Sequence, residues 1–245
     1  MNRLMLTLFF ILLLAIGGCS QEKKNNEIHF ATAGEYPPFE YQEQGKLKGF
    51  DIDLANLIAQ HLGKKAVFHN MQFSTILPAL TTGQVDAAIS TITITEERQR
   101  NFDFTTPYYF ETMAAVFPKN TPITTTTGLR GKKIACQLGS TMEIWLKNNY
   151  PELAIITAMD NNNQAIEALK AGHVEVVLMD GPQGAIFSEK NPTLDYAIIT
   201  KSKDGYGIAF KKHSPDIAKI NRALNSLKAN GEIERLKKKW LIGAK

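Results

Sequence analysis

Short apolar runs alternate along this chain with stretches of helical periodicity, and that alternation sets the order of its elements. Glu27 to Thr32 alternates, with Ile28 and Phe30 on one face, and predicts a first strand. Ala33 to Glu40 predicts a loop by its glycine and prolines, and Pro37-Pro38 stiffens it so that Tyr36 is held at a fixed place. Gln44-Gly45-Lys46 predicts a turn. After Gly49-Phe50-Asp51, the residues Ile52, Leu54, Ala55, Leu57, Ile58 and Leu62 form the apolar face of a helix that Gly63 stops. Ala66 to Phe68 is the next strand. A helix capped by Ser74 then runs to Thr82, and Pro78 suits it only near its start. Gly83 stops that helix, and the apolar run Val85 to Ile89 predicts a buried strand.

This strand leads into a cluster of hydroxyls, Ser90, Thr91, Thr93 and Thr95. Thr95 has the place of an N-cap, with Glu96 and Glu97 in the first turn, where acids suit the helix dipole. Arg98 lies on that turn. Ligands of open α/β sheets bind outside the carboxyl ends of strands. Hydroxyls, free helix N–H groups and an arginine fork at such an end suit a small carboxylate. The plainer alternative is a polar loop with a surface arginine.

Further on, Thr112 to Phe117 predicts a strand and Pro118 to Thr127 a surface connection, which places a lobe boundary near Val116. Lys132 to Cys136 is a strand, and Gln137-Leu138-Gly139-Ser140-Thr141 opens a helix from Met142 to Asn149. The segment from Leu80 through Gly83, Val85 and Asp86 to Ile89 aligns with that from Leu169 through Gly172, Val174 and Glu175 to Leu178. If this is a repeat, each lobe has a strand ending at the same structural place, one at Ser90-Thr91 and the other at Asp180. Asp180 then faces Arg98 across a cleft, as a carboxylate for a ligand ammonium. Gly205 to Phe210 returns as a strand to the first lobe. Ser214-Pro215 starts a helix that Gly231 stops, and Glu232 to Trp240 forms the last helix.

The N-terminus changes the picture. Arg3, the apolar run Leu4 to Ile16 and Gly17-Gly18-Cys19 describe a secretory leader, too short to span a bilayer. Ile16-Gly17-Gly18-Cys19 has the form of a lipobox, so Cys19 is expected to be lipidated, ahead of a polar tether reaching Asn26. A plain leader with a chance cysteine is the alternative. Loss of residues 1–18 takes the net charge from +4 to +3 through Arg3, with no basic footprint for nucleic acid. Cys136, in an apolar pattern, is expected to be a core residue and not a nucleophile. The 5 histidines have no ligand spacing, so neither a metal nor a cofactor is expected.

The chain resembles the solute-binding proteins of polar amino-acid ABC importers. The resemblance spans nearly all of the mature chain. It rests on Tyr36-Pro37-Pro38-Phe39-Glu40, Gly49-Phe50-Asp51-Ile52-Asp53-Leu54-Ala55, Ile76-Leu77-Pro78-Ala79-Leu80, Val85-Asp86, Thr93-Ile94-Thr95-Glu96-Glu97-Arg98, Phe102-Asp103-Phe104, Pro107-Tyr108-Tyr109 and Gly207-Ile208-Ala209. It implies an α/β, two-lobe periplasmic-binding-protein fold, each lobe a mixed sheet flanked by helices, joined by two hinge strands. Residues 1–18 are then the leader and 19–26 the lipidated tether. Residues 27–115 and 206–245 form lobe 1, and 116–205 form lobe 2. The resemblance assigns the ligand carboxylate to Arg98 with the backbone N–H groups of Thr93 and Thr141. It assigns the ammonium to Ser90, Thr91 and Asp180, the side-chain flanks to Tyr36 and Phe73, and a side-chain contact in lobe 2 to Gln137.

The implied ligand is a free L-amino acid. Members that bind cationic or amide side chains often carry an acid where this chain has Ala33. Two aromatic faces nevertheless favour a guanidinium, and the wording is closest to the arginine-binding branch. Arginine ranks first, then lysine, ornithine, histidine and glutamine. The implied partners are an importer permease and a membrane through the lipid anchor only; a monomer is expected. The protein is expected not to be an enzyme. The alternatives are a sensory or adhesive lipoprotein and a cyclohexadienyl dehydratase-like enzyme, for which Glu35 is the spare acid nearest the cleft.

Overall fold

A computed structural model describes residues 26–151 and 155–241. The leader, Cys19 and all but the last residue of the tether lie outside the described residues. In lobe 1 the chain forms strand β1 (Glu27–Thr32), the small antiparallel sheet β2 (Glu35–Tyr36), β3 (Glu40–Glu43) and β4 (Lys46–Lys48), and helix α1 (Phe50–His61). Strand β5 (Lys65–Asn70), α2 (Phe73–Thr82), β6 (Ala87–Ala88), α3 (Glu96–Asn101) and β7 (Phe102–Phe104) follow. The long strand β8 (Tyr109–Pro118) carries the chain into lobe 2.

Lobe 2 contains β9 (Lys133–Gln137), α4 (Thr141–Asn149), β10 (Ile155–Met159), α5 (Asn162–Lys170), β11 (Val176–Asp180) and α6 (Gly181–Lys190). Strand β12 (Leu194–Tyr206) returns beside β8, and β13 (Ala209–Lys211), α7 (Ile217–Ala229) and α8 (Glu232–Trp240) complete lobe 1. The two main sheets have the orders β5-β1-β6-β13-β7 and β10-β9-β11-β8-β12. Each is mixed: β1 pairs in parallel with β5 and β6, β9 in parallel with β10 and β11, and the returning strands run antiparallel.

Strand alternation divides each lobe into two cores. Ile28, Phe30, Ile89 and Phe210 face α1, α7 and α8, while Ala31, Ala88 and Ala209 face α2. In lobe 2, Ile134, Cys136 and Leu178 face α4, and Ala135, Val177 and Met179 face α5 and α6. A sheet covered on both faces needs strands apolar on both faces, which is why its central strands read as unbroken apolar runs. Cys136 is fully buried, and burial pushes its thiol up to about 12, so it packs as a small hydrophobe.

The structure departs from the sequence expectations at several places. The strand expected over residues 85–89 is reduced to β6; after Ile89, which still donates to the Ala31 carbonyl, the chain leaves the sheet into the hydroxyl loop. Helix α2 begins at Phe73 with no side-chain cap, and Pro78 lies inside it. The hydrogen bond that Pro78 forgoes is to Ser74, in a partly exposed first turn, where solvent can replace it. Helix α7 starts at Ile217, because Ser214 bonds the Asp216 N–H in a turn of its own. The expected strand over residues 205–210 is split between β12 and β13. The boundary expected near Val116 falls inside β8, whose Met113 already pairs with Asp180 of β11. His29 and His69, on adjacent strands, bring ring nitrogens to 2.8 Å of each other.

Candidate functional site

The cleft between the lobes is built at the ends of β6, β9 and β11. In lobe 1 the loop after β6 is held from behind by two buried acids. Ser90 donates to Glu40 Oε1 at 2.7 Å and accepts from the Ala33 N–H at 3.0 Å. The Thr91 N–H donates to Asp51 Oδ2 at 2.8 Å, and the Tyr108 hydroxyl donates to the same oxygen at 2.8 Å. Thr91 has φ +47°, a left-handed conformation rare for a β-branched residue, and these bonds hold it there. Burial pushes the Asp51 carboxyl up to about 7, against the hydrogen bonds from Thr91 and Tyr108; burial and the nearby Asp51 charge raise Glu40 well above its ordinary range.

Thr95 caps α3 by accepting from the Arg98 N–H at 3.2 Å. The Arg98 side chain turns back into the cleft and is 8% exposed. Its Nη1 donates to the Thr93 carbonyl at 3.0 Å, and its Nη2 donates across the cleft to the Gly139 carbonyl at 3.0 Å. Its guanidinium carbon lies 5.9 Å from the centre of the Phe73 ring. Among the described residues no carboxylate forms an ion pair with it. Burial lowers the Arg98 pKa, while Glu111 and Glu97 oppose this, and guanidinium remains charged in proteins. A buried cation bonded only to two carbonyls is suited to an anion on the rest of its fork.

Lobe 2 supplies the opposite charge. Gln137 ends β9, Ser140 caps α4 through the Glu143 N–H at 3.3 Å, and Thr141 stands at the first helical position, where the N–H has no intrahelical partner. Asp180 ends β11 and is 3% exposed. Its Oδ2 accepts from the Tyr36 hydroxyl of lobe 1, and its Oδ1 has no partner among the described residues. Burial pushes its carboxyl up to about 6, with the Tyr206 and Tyr36 hydroxyls acting the other way.

The structure thus brings Tyr36, Phe73, Thr91, Thr93 and Arg98 from lobe 1 together with Gln137, Thr141 and Asp180 from lobe 2. Between them they leave about 20 Å³, room for roughly one water, so the lobes stand closed on each other. Ser90 does not join them: it is fully buried behind the loop, and Glu40 and the Ala33 N–H engage its hydroxyl. Its hydroxyl points away from the cleft, toward Glu40 and Ala33.

A model of the bacterial extracellular solute-binding proteins, family 3, matches residues 28–243. The chain belongs to that family. This family 3 protein is 32% identical over 228 residues to the arginine-binding extracellular protein ArtP of Bacillus subtilis, covering 91% of this chain and 89% of ArtP. It is 30% identical over 229 residues to the L-cystine-binding protein TcyJ of Escherichia coli, covering 91% and 86%. Among solved structures, an ancestral arginine-binding protein bound to arginine superposes with a TM-score of 0.85 at 37% identity, covering 88% of this chain and 98% of that one. The resemblance read from the motifs and the two-lobe α/β fold both stand on these matches.

Three residues of this family 3 cleft escaped the sequence reading: Glu111, Ser140 and Met142. Glu111, on β8, is 6% exposed and accepts from the Thr93 hydroxyl, 3.2 Å from each carboxylate oxygen. Burial, and then the neighbouring Asp180 charge, push its carboxyl up to about 8; the hydroxyls of Thr93 and Ser202 pull it down. Strand phase carried the signal. Glu111 alternates in step with the buried Met113, Ala115 and Phe117, whereas its neighbour Phe110 is 61% exposed. Glu35, the acid placed nearest the cleft from sequence, is an exposed residue of β2 and does not line the site.

Proposed function

We propose that this protein binds a free amino acid outside the cytoplasm, arginine first and other cationic or amide amino acids next, and delivers it to an ABC importer by closing its lobes. One observation carries the reading. Arg98 and Asp180, on opposite lobes, are buried beside the same small space, one with N–H donors to offer and the other with an unpartnered oxygen. An α-amino acid presents the two complementary charges on adjacent atoms. Arg98 takes its carboxylate with the N–H groups of Thr93 and Thr141; Asp180 takes its ammonium, with Thr91 beside it.

Tyr36 and Phe73 flank the ligand side chain and also brace its anchors, through the bond to Asp180 and the ring face under Arg98. Gln137 helps read the side chain from lobe 2. The proposal includes a leader over residues 1–18, a lipid anchor at Cys19, a monomeric state and no catalytic activity. A thermal-shift screen of the twenty amino acids plus ornithine tests the ligand class: arginine should raise Tm most, and no shift with any of them would refute the reading. Replacement of Cys19 by Ala should move the protein from membrane pellets to the soluble extracytoplasmic fraction.

A further inference from the structure

Two acids behind the cleft line no part of it and are nevertheless fully buried. Glu40, the first residue of β3, and Asp51, in the first turn of α1, are each 0% exposed. The backbone holds them together. The N–H groups of Phe50 and Asp51 donate to the Pro38 and Phe39 carbonyls at 3.1 and 2.8 Å, which pins the start of α1 on the start of β3. Gly49 permits this approach: a Cβ there would lie 2.1 Å from the Phe39 carbonyl oxygen.

Among the described residues, the donors that reach this pair go to one oxygen of each acid. Glu40 Oε1 accepts from the hydroxyls of Ser90 at 2.7 Å and Thr91 at 3.4 Å. Asp51 Oδ2 accepts from the Thr91 N–H and the Tyr108 hydroxyl, each at 2.8 Å. The other two oxygens, Glu40 Oε2 and Asp51 Oδ1, are buried without a donor, and the two carboxyls stand within hydrogen-bonding reach of each other. No lysine, arginine or histidine among the described residues forms an ion pair with either. The titratable groups around them are Tyr108, Tyr36 and Asp180, and none of these supplies positive charge. Two ionised carboxylates in contact repel strongly in a buried place, and one proton between them relieves that. Burial raises both carboxyls, Glu40 well above its ordinary range and Asp51 to about 7, in keeping with a proton retained at neutral pH.

We infer that Glu40 and Asp51 are positioning residues: they share one proton, and the joined pair holds Ser90 and Thr91 so that Thr91 stands beside the ligand ammonium. The inference rests on the amino-acid-binding reading above and adds what fixes the lobe 1 side of that site. Thr91 is the link, since it bonds both acids and lines the cleft in a left-handed conformation. Ionisation of both acids would drive β3 from α1 and release the loop.

Infrared spectroscopy and calorimetric titration test the two halves separately. At pH 7 without ligand, the wild-type minus Glu40→Gln difference spectrum should contain the C=O stretch of a protonated carboxyl, shifted in deuterium oxide. A difference containing only carboxylate bands would overturn the shared proton. Glu40→Gln keeps an acceptor for Ser90 and offers Asp51 an N–H in place of the proton, so it should bind arginine within about threefold of wild type. Glu40→Ala removes both and should lose on the order of 10–100-fold. Ser90→Ala deletes a single donor and should lose about threefold to tenfold, which keeps the test open where Glu40→Ala fails to fold. Folded Glu40→Ala or Ser90→Ala protein that binds like wild type would overturn the positioning role, and so would an equal loss in Glu40→Gln and Glu40→Ala. Wild-type protein that binds no amino acid fails the wider reading and the positioning role with it, and leaves the shared proton to the spectrum.

Discussion

Arg98 and Asp180 are the side chains whose removal should weaken binding most. Each is buried, and truncating one leaves the ligand charge opposite it desolvated and unpaired. Arg98→Ala and Asp180→Ala should each cost about 3–5 kcal/mol of binding, two to four decades in affinity. Titration with arginine and with agmatine, which lacks the carboxylate, separates the two roles. Wild-type protein should bind agmatine far more weakly, and Arg98→Ala should largely erase that difference while remaining folded. Acid burial makes a second prediction at this scale. Glu111 is pushed up to about 8, Asp51 to about 7 and Asp180 to about 6, all above the range near 4 of carboxyls in an unfolded chain. The folded, ligand-free protein therefore holds protons that the unfolded chain releases, and its stability should fall as pH rises from about 4 through about 8. The groups facing Glu111 are Asp180 on β11, Arg98 on α3, Tyr36, Tyr206, Thr93 and Ser202. Melting curves without ligand should give a higher Tm at pH 5.5 than at pH 8.5, with a smaller drop in Glu111→Gln; a flat profile would contradict the burial of these acids.

At the scale of elements, one device is used in both lobes. Helices α2 and α5 end in Gly83, φ +75°, and Gly172, φ +74°, and each is followed by an acid three residues on, Asp86 or Glu175. Asp86 Oδ2 accepts from the His29 N–H at 2.8 Å, and Glu175 Oε2 accepts from the Lys133 N–H at 3.0 Å. Each acid thus satisfies the N–H of a neighbouring strand, β1 or β9, and sets the register of the strand that follows. The correspondence of the two segments, suggested by their wording, holds in backbone geometry and hydrogen bonding. A Cβ on either glycine would meet nothing within 4 Å, so the cost of adding one is conformational alone. Gly83→Ala and Gly172→Ala should each lower stability by about 1–2 kcal/mol, measured by urea unfolding, with little effect on ligand affinity. Gly205 differs: a Cβ there would come within 2.6 Å of the Tyr109 carbonyl oxygen, because β8 and β12 approach closely where they cross between lobes.

For the whole molecule, closure is the expected response to ligand. The lobes are linked by β8 and β12, whose pairing shifts register between Ile198 and Thr200 and between Lys201 and Gly205. Such irregularities give a two-stranded link places to bend. The contacts from Tyr36 to Asp180, from Arg98 to the Gly139 carbonyl at 3.0 Å and from Thr93 to Thr141 at 3.5 Å exist only with the lobes together. A ligand that bonds both lobes favours that state over an open one. Small-angle scattering should show a smaller radius of gyration with saturating arginine, and an identical profile would argue against closure. The same scale separates what sequence and structure each contribute. Thr95 as a cap, the glycine stops and the place of Arg98 on the first turn of α3 were legible from sequence, because capping joins residues about three apart; the Ser140 cap was not, since the helix it opens begins one residue earlier than its apolar pattern suggests. The two lobes and their α/β order were legible too, since apolar periodicity reflects burial on both sheet faces. The partner of Ser90 was not, because Glu40 is 50 residues away, and the same hydroxyl beside a cleft could face either way. Nor was Tyr36 on Asp180, a contact across 144 residues and between lobes. Glu111 differs from both: its strand phase marked it as buried, and only the meeting of β6, β8 and β11 turned a buried acid into part of the site.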